Sequence, residues 1–173
     1  MPAHNYDAGE VISMLVSEIM VKDVVTLNPD DTLLDAINKF SERNISGAPV
    51  IDKRTKMVVG ILSETDIFNA VKRNFKEFRM VHISPELKMV GLSFEEVPSG
   101  KKAEEIVREI GGIKVYTMMT KNVITVSPYD DVKVVIEIMS QGKINRIPIV
   151  SEGKLVGIVT RGDIIKGMNK FMK

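Results

Sequence analysis

The chain has 173 residues, a formal net charge of +1 and no cysteine. Its length suits one domain or two small ones, its near-neutral charge argues against a large nucleic-acid-binding surface, and the lack of cysteine excludes a disulfide framework. Because residues 1–9 are polar and lack the order of a secretory signal, and no apolar stretch is long enough to span a membrane, we expect a soluble cytoplasmic protein.

The first predicted element is a helix between Glu10 and Met20. Apolar residues recur there at helical spacing, which predicts one amphipathic helix after a loose chain end. These apolar residues are Val11, Ile12, Leu15, Val16 and Ile19. Residues 1–19 are therefore expected to form an N-terminal segment with a helix.

The rest of the chain contains a repeat. Residues 20–29 resemble residues 119–128 at an offset of 99, and after a shorter turn the offset becomes 97, where Asp66 matches Asp163. Each copy predicts the order β-α-β-β-α, which is an α/β fold of the α+β type. Because one copy is small for a stable core, we expect the two copies to pack with pseudo-two-fold symmetry.

The predicted boundaries follow from this repeat. They divide the chain into repeat 1 at residues 20–72, an inter-repeat insert with a helix at 73–117, and repeat 2 at 118–173. The two first helices are predicted at Thr32–Arg43 and Asp131–Gln141, and the insert helix at Lys101–Ile110 ends at Gly111-Gly112. The hairpin strands are predicted at Ala48–Ile51, Val58–Leu62, Ile147–Val150 and Leu155–Val159.

A Ser/Thr-x-x-Asp motif follows the last strand of each copy. It is formed by Ser63 and Asp66 in the first copy and by Thr160 and Asp163 in the second. This spacing is typical of a helix cap, in which each side chain satisfies a backbone N–H of the first turn. A second interpretation is that the aspartate accepts hydrogen bonds from a ribose diol while the helix start faces phosphate. Both copies place the motif between a glycine-containing strand and an apolar helix, which favours this second interpretation.

The order of these motifs resembles the CBS domain. The resemblance lies in residues 45–52 with 59–67, and in residues 144–150 with 156–164. Two such motifs in tandem resemble a CBS pair, or Bateman module. The resemblance implies two clefts between the repeats that bind adenosine-containing ligands, such as AMP, ADP, ATP or S-adenosylmethionine, as regulatory ligands.

The resemblance also implies roles for individual residues. Asp66 and Asp163 would hold the ribose, while Ser63, Thr65 and Thr160 would lie near phosphate. The residues implied to line the adenine base or to flank these groups are Thr26, Ala48, Pro49, Thr125, Ile147, Pro148 and Arg161.

Arg146 lies two residues before Pro148, where the resembled family often has a basic phosphate contact. The alternative is a solvated surface arginine. The first copy has Gly47 at this position, and the second copy has Gly162 in place of Thr65, so the two sites are expected to differ in how they hold phosphate.

We expect a regulatory module that senses an adenosine ligand and signals to an unknown protein effector by a conformational shift. It is not expected to be an enzyme, because the sequence has no nucleophile–base constellation, and no obligatory cofactor is expected. His4 and His82 are isolated, so no metal site is predicted. The alternatives are a structural or interaction scaffold without bound nucleotide and, less favoured, an enzyme that turns over nucleotides.

A homodimer is also expected. The helices after Asp66 and Asp163 carry the apolar residues Phe68, Ile165 and Met168, which one module need not cover. Members of the resembled family usually associate through such helical faces. The insert helix could cover the same residues instead.

Overall fold

The computed structural model describes residues 14–74, 108–142 and 144–171. The described residues form a mixed α+β fold with two antiparallel hairpins, as predicted. The elements in chain order are α1 (Val16–Ile19), α2 (Leu33–Arg43), β1 (Gly47–Ile51), β2 (Val58–Ser63), α3 (Glu64–Asn74), α4 (Val115–Met118), α5 (Val132–Gly142), β3 (Arg146–Ser151), β4 (Lys154–Thr160) and α6 (Arg161–Phe171).

The chain divides into two compact units. The first-repeat unit lies within residues 25–123, and the second-repeat unit lies within residues 1–24 and 124–173. The one-turn helix α1 therefore belongs to the second-repeat unit although it precedes the first repeat in sequence. Similarly, α4 precedes the second repeat but belongs to the first-repeat unit.

In the first-repeat unit, the β1–β2 hairpin packs into an apolar cluster with the helices. Ala48 and Val50 of β1 enter the same cluster as Leu62 of β2. Pro49, which lies between them, is also fully buried, so β1 is covered on both of its faces. The other cluster members are Leu27, Leu33, Ala36, Phe40, Ala70, Val115 and Met118.

The second-repeat unit repeats this arrangement. Ile147 and Ile149 of β3 join Val159 of β4 in an apolar cluster, and the same cluster contains Val135 of α5. Val16 of α1 is fully buried in it. Burying such side chains is the main stabilising contribution to each unit, so α1 is part of this core rather than an appended helix.

Helix α2 begins at a complete capping box. The backbone N–H of Thr32 donates to Asp35 Oδ2 over 2.8 Å, and the backbone N–H of Asp35 donates to Thr32 Oγ1 over 3.2 Å. The hydrogen bond from the backbone N–H of Thr32, and to a smaller extent the one from its hydroxyl, lower the pKa of Asp35 below its usual value. At the other end Asn44 adopts the left-handed conformation, with φ of 49°, which ends the helix.

The predicted N-terminal helix is shorter than expected in the part that the structure describes. The prediction was one helix from Glu10 to Met20, whereas α1 spans only four residues and residues 10–13 lie outside the described ranges. Leu15 is extended and pairs with Asp131 through an antiparallel bridge. This long-range pairing stops the helix, since the paired backbone cannot also be helical.

The strand predicted at the start of each repeat is also shorter than expected and consists of one bridged residue. Leu27 forms a single parallel bridge with Val50, and Val126 forms the equivalent bridge with Ile149. Most of the insert lies outside the described residues. Its helix is described from residue 108 and ends at residue 111, so the predicted stop at Gly111-Gly112 is confirmed.

Each hairpin has a glycine that accommodates a methionine. A Cβ placed on Gly157 would lie 2.7 Å from Met20 Sδ and 3.2 Å from the Val21 carbonyl oxygen. A Cβ on Gly60 would collide with Met119 in the same way. The absence of a side chain at these glycines therefore lets the first residues of the other repeat lie directly on the hairpin.

This contact predicts that Gly157→Ala destabilises the protein by about 1–3 kcal/mol, the usual cost of overfilling a packed site. The added methyl group collides with Met20, so Met20→Ala in the same chain should recover part of the loss. Urea unfolding of both single variants and the double variant measures this coupling. Gly162→Ala is the control, because its Cβ would meet Thr160 Oγ1 at an ordinary 3.6 Å. Additive losses from Gly157→Ala and Met20→Ala would contradict the contact.

Candidate functional site

The candidate site of the second-repeat unit lies where β4 passes into α6. Arg146 on β3 pairs in register with Thr160, the last residue of β4. Thr160 donates to Asp163 Oδ2 from its backbone N–H over 2.9 Å and from its hydroxyl over 2.6 Å. Because Arg146 is in register with the capping threonine, a basic residue and a carboxylate lie at the same end of the hairpin.

The first-repeat unit has the same geometry with one change. Ser63 donates to Asp66 Oδ2 from its backbone N–H over 2.8 Å and from its hydroxyl over 2.5 Å. Gly47 stands opposite Ser63, in the position that Arg146 has in the other unit. Thr65 is exposed on the first turn of α3. This site therefore has the hydroxyl and the carboxylate but no basic side chain at the paired position.

The two interpretations of the motif are compatible. In both units the capping hydrogen bonds go to a single carboxylate oxygen, Oδ2. Both aspartates, Asp66 and Asp163, are only partly buried. A carboxylate has two oxygens and about four acceptor positions, so the cap does not use up its capacity to accept hydrogen bonds from a ligand.

Four of the residues expected near the adenine base lie on the buried strands β1 and β3. Ala48 and Ile147 are fully buried in the two apolar clusters, and Pro49 and Pro148 are also fully buried. Their side chains contribute to the cores, so only their backbone groups are suited to contact a ligand.

Thr26 and Thr125 immediately precede the residues that pair with these prolines. The Pro49 carbonyl accepts from Leu27 N–H over 3.0 Å, and the Pro148 carbonyl accepts from Val126 N–H over 3.3 Å. The structure therefore brings each threonine beside the proline of its own unit. Thr26 is partly buried and Thr125 is exposed.

Arg161 makes a contact that the sequence did not indicate. Its guanidinium Nη2 donates to the backbone carbonyl of Met139 on α5 over 3.1 Å. A backbone acceptor leaves no signature in the sequence, so only the structure identifies this role. The bond connects the start of α6 to α5.

Within the described ranges, no group of three or more His, Cys, Asp or Glu side chains could hold a metal ion. His4 and His82 lie outside the described residues. No helix in the described part of the chain is long and apolar enough to cross a membrane.

The capping geometry predicts that Thr160→Ala lowers the stability of the protein by about 1 kcal/mol, within the usual 0.5–2 kcal/mol for a lost cap. Ser63→Ala should have a similar cost. Thr65→Ala is the control, because its side chain is exposed and its replacement should change stability by less than about 0.5 kcal/mol. Chemical unfolding curves measure all three, and a neutral Thr160→Ala would show that the cap contributes nothing.

Comparison with known proteins identifies the repeat. The model of the CBS domain matches residues 16–73 and 107–170. The uncharacterized protein MJ1426 of Methanocaldococcus jannaschii is 36% identical over 166 residues, covering 92% of this chain and 93% of that protein.

Two solved structures share the fold. The CBS domain pair of protein MJ0100, in complex with 5-methylthioadenosine and S-adenosyl-L-methionine, has a TM-score of 0.66 at 23% identity and covers 92% of this chain and 98% of its own. CBSX2 in complex with AMP has a TM-score of 0.66 at 20% identity and covers 92% and 99%. At these identities the likeness concerns the fold alone. The matched regions together make up more than half of the sequence, and the chain belongs to the CBS domain family.

Proposed function

We propose that this protein is a regulatory module that binds an adenosine-containing ligand, namely AMP, ADP, ATP or S-adenosylmethionine. The observation that carries the proposal is the partly buried aspartate of each unit, Asp66 and Asp163, held beside a hydroxyl at the start of a helix. The ligands described for MJ0100 and CBSX2 are adenosine compounds, which supports the same chemical class here.

The chemistry of the site suits a nucleoside. A ribose diol donates two hydrogen bonds, and a fixed carboxylate is the natural acceptor. The first turn of a helix offers unpaired backbone N–H groups and the positive end of the helix dipole, both of which favour phosphate. Because Asp163 lies in the first turn of α6, one ligand could contact the carboxylate with its ribose and the helix start with its phosphate.

The two sites should differ in selectivity. Arg146 adds a positive charge beside Thr160 and Asp163, so we assign phosphate recognition mainly to the second-repeat unit. The first-repeat unit has Gly47 there and depends on Ser63 and backbone N–H groups. It should therefore distinguish less between ligands of different phosphate charge.

The regulatory signal would arise from a shift between conformations. A ligand that binds one conformation more tightly increases its population in proportion to that difference in affinity. The protein would then act through a protein effector that recognises this conformation, rather than through catalysis.

A homodimer is part of the proposal. Phe68, Ile165 and Met168 are 56%, 68% and 47% exposed, respectively, on α3 and α6. Exposed apolar side chains of this size on helical faces are typical of a protein–protein interface, and a second copy would cover them.

A scaffold without bound nucleotide is the second candidate. The observation in its favour is that both capping boxes close without a ligand, since the backbone N–H groups of Asp66 and Asp163 donate to the hydroxyls of Ser63 and Thr160 and each aspartate accepts in return. Ligand binding distinguishes the two candidates.

Ligand binding should raise the stability of the protein. A ligand that binds only the folded state adds about 2.7 kcal/mol at one hundred times its dissociation constant, which is on the order of 5 °C or more in melting temperature for a chain of this size. A thermal-shift series with AMP, ADP, ATP and S-adenosylmethionine, with guanosine nucleotides as controls, measures this. If none of the adenosine compounds changes the melting temperature at millimolar concentration, the scaffold is the better account.

Arg146→Ala should separate phosphate recognition from ribose recognition. A charge-assisted hydrogen bond contributes roughly 1.5–3 kcal/mol, so the loss of Arg146 should weaken AMP binding at the second-repeat unit about ten- to a hundredfold and leave adenosine nearly unchanged. Asp163→Ala should weaken both ligands alike.

Thr160→Ala is the matched control for Asp163→Ala, because it removes the same cap but keeps the carboxylate. Titration of AMP and adenosine against these variants gives the comparison. Equal losses of AMP and adenosine in Arg146→Ala would assign the arginine to the surface and not to the phosphate.

A further inference from the structure

In the first-repeat unit a lysine joins helix α2 to one of the residues expected near the adenine base. Lys39 Nζ donates to Asp31 Oδ2 over 2.8 Å and to the backbone carbonyl oxygen of Thr26 over 3.4 Å. The lysine side chain is 37% exposed and the aspartate side chain 16%, so the ion pair is partly shielded from water. One ammonium group therefore connects α2 with Thr26 and with the turn that follows it.

The aspartate end of this link is itself fixed. The backbone N–H of Asn28 donates to Asp31 Oδ2 over 3.0 Å, and the Asp31 carbonyl accepts from the Val115 N–H of α4 over 2.8 Å. Burial raises the pKa of Asp31, but the charge and hydrogen bond of Lys39 and the bonds from Asn28 outweigh burial and lower the pKa below its usual value. Asp31 is therefore ionised at neutral pH and attracts the ammonium group.

The Thr26 end of the link lies beside the hairpin. The neighbouring residue Leu27 pairs with β1 through both of its backbone groups, since its N–H donates to the Pro49 carbonyl over 3.0 Å and its carbonyl accepts from the Ile51 N–H over 2.9 Å. Successive residues of a strand direct their backbone groups to opposite sides, so the Thr26 carbonyl faces away from β1. Lys39 binds this carbonyl from α2, and Thr26 is thus held between the hairpin and the helix.

The second-repeat unit has the same turn without the lysine. The backbone N–H of Ser127 donates to Asp130 Oδ2 over 2.7 Å, the same bond as in the first-repeat unit. At the offset of 99, Ile138 stands at the position of Lys39, packs against the apolar cluster of its unit and has no side-chain group that donates a hydrogen bond. Thr125 is exposed, whereas its counterpart in the first-repeat unit is partly buried. The two sites therefore differ on the base side as well as at the phosphate position.

We propose that Lys39 is a positioning residue of the first-repeat site, where it holds Thr26 in the arrangement that receives the nucleoside part of the ligand. The inference rests on the proposed function, because it requires adenosine binding. It gives the two sites complementary devices. The first-repeat site has the lysine but Gly47 at the phosphate position, while the second-repeat site has Ile138 and Arg146. A site that is already ordered loses less free energy on binding, so Lys39 should increase affinity for the nucleoside and Arg146 for the phosphate.

Removal of the ammonium group tests this role. Lys39→Met keeps an unbranched side chain that suits a helix but loses both hydrogen bonds. Calorimetric titration with adenosine and with AMP measures the first-repeat site in an Asp163→Asn background and the second-repeat site in an Asp66→Asn background. Lys39→Met should weaken both ligands at the first-repeat site by the same factor of about two to five, the range that a partly exposed ion pair provides. The second-repeat site should keep its affinity.

Two further variants separate positioning from a general loss of stability. Lys39→Arg keeps a cation that can donate to a carboxylate and a carbonyl together, so it should restore most of the affinity at the first-repeat site. Ile138→Met is the matched control at the corresponding position of the second-repeat unit, and it should leave both sites unchanged. A general loss of stability would not act on one site alone and would not be recovered by arginine.

Hydrogen exchange gives a second measurement that needs no ligand. The N–H groups of Asn28 and Ser127 make equivalent bonds to the aspartates of the two turns. Exchange of such a group reports how often its own segment opens. Lys39→Met should therefore accelerate exchange at Asn28 about two- to fivefold and leave exchange at Ser127 unchanged. Equal exchange at Asn28 with and without the lysine would show that Lys39 does not hold the turn.

The outcomes of the titrations separate this inference from the proposed function. An unchanged first-repeat site in Lys39→Met, equal losses at both sites, or no recovery in Lys39→Arg would overturn the role of Lys39 while adenosine binding stands. No binding of adenosine or AMP to the unmodified chain would overturn the proposed function and this inference with it. A loss confined to the first-repeat site, equal for the two ligands and recovered by arginine, is the result expected for a positioning residue.

Discussion

The hydrogen bonds between the last residue of each hairpin and the aspartate three residues later determine much of this structure. Ser63 and Thr160 each end a strand, begin a helix and fix a carboxylate through the same side chain. The strand end, the helix start and the acidic group therefore cannot move independently. A carboxylate held in this way loses little conformational entropy when a ligand binds, which is the advantage of a preorganised site. The same aspartate carboxylate therefore caps the helix and provides the proposed ribose contact.

The packing of each unit also depends on residues from another part of the chain. Each hairpin is covered in part by the first residues of the other repeat, since Met20 lies on Gly157 and Met119 lies on Gly60. Neither unit is complete without its segment, because Val16 and Val115 are fully buried in the clusters that they join. The chain therefore cannot fold one repeat alone from contiguous residues.

Most helices and strands could be predicted from the sequence, because the two copies of the repeat give the same order of elements independently. Helix α2 starts within one residue of the predicted Thr32, and the four hairpin strands match their predicted bounds to within one residue at each end. The helix predicted over Glu10–Met20 was wrong at Leu15, which is extended and pairs with Asp131, a residue distant in sequence. The contact of Arg161 with a backbone carbonyl of another helix also depends on a residue distant in sequence, and no prediction covered it. The position of a residue in a motif does not indicate whether its side chain is buried. Ala48 and Ile147 are predicted site residues from their motif positions, and the structure adds that their side chains lie in the cores.

The central claim is that each unit carries its own adenosine site organised around one aspartate. Isothermal titration calorimetry of the full chain with AMP and with S-adenosylmethionine tests it most directly through the number of ligands bound. For a ligand that occupies both units, the account predicts about two per chain, and about one per chain in Asp66→Asn and in Asp163→Asn, because each substitution removes one acceptor carboxylate and leaves the other unit intact. An unchanged number of bound ligands in both variants, or no heat of binding for any adenosine compound, would contradict it.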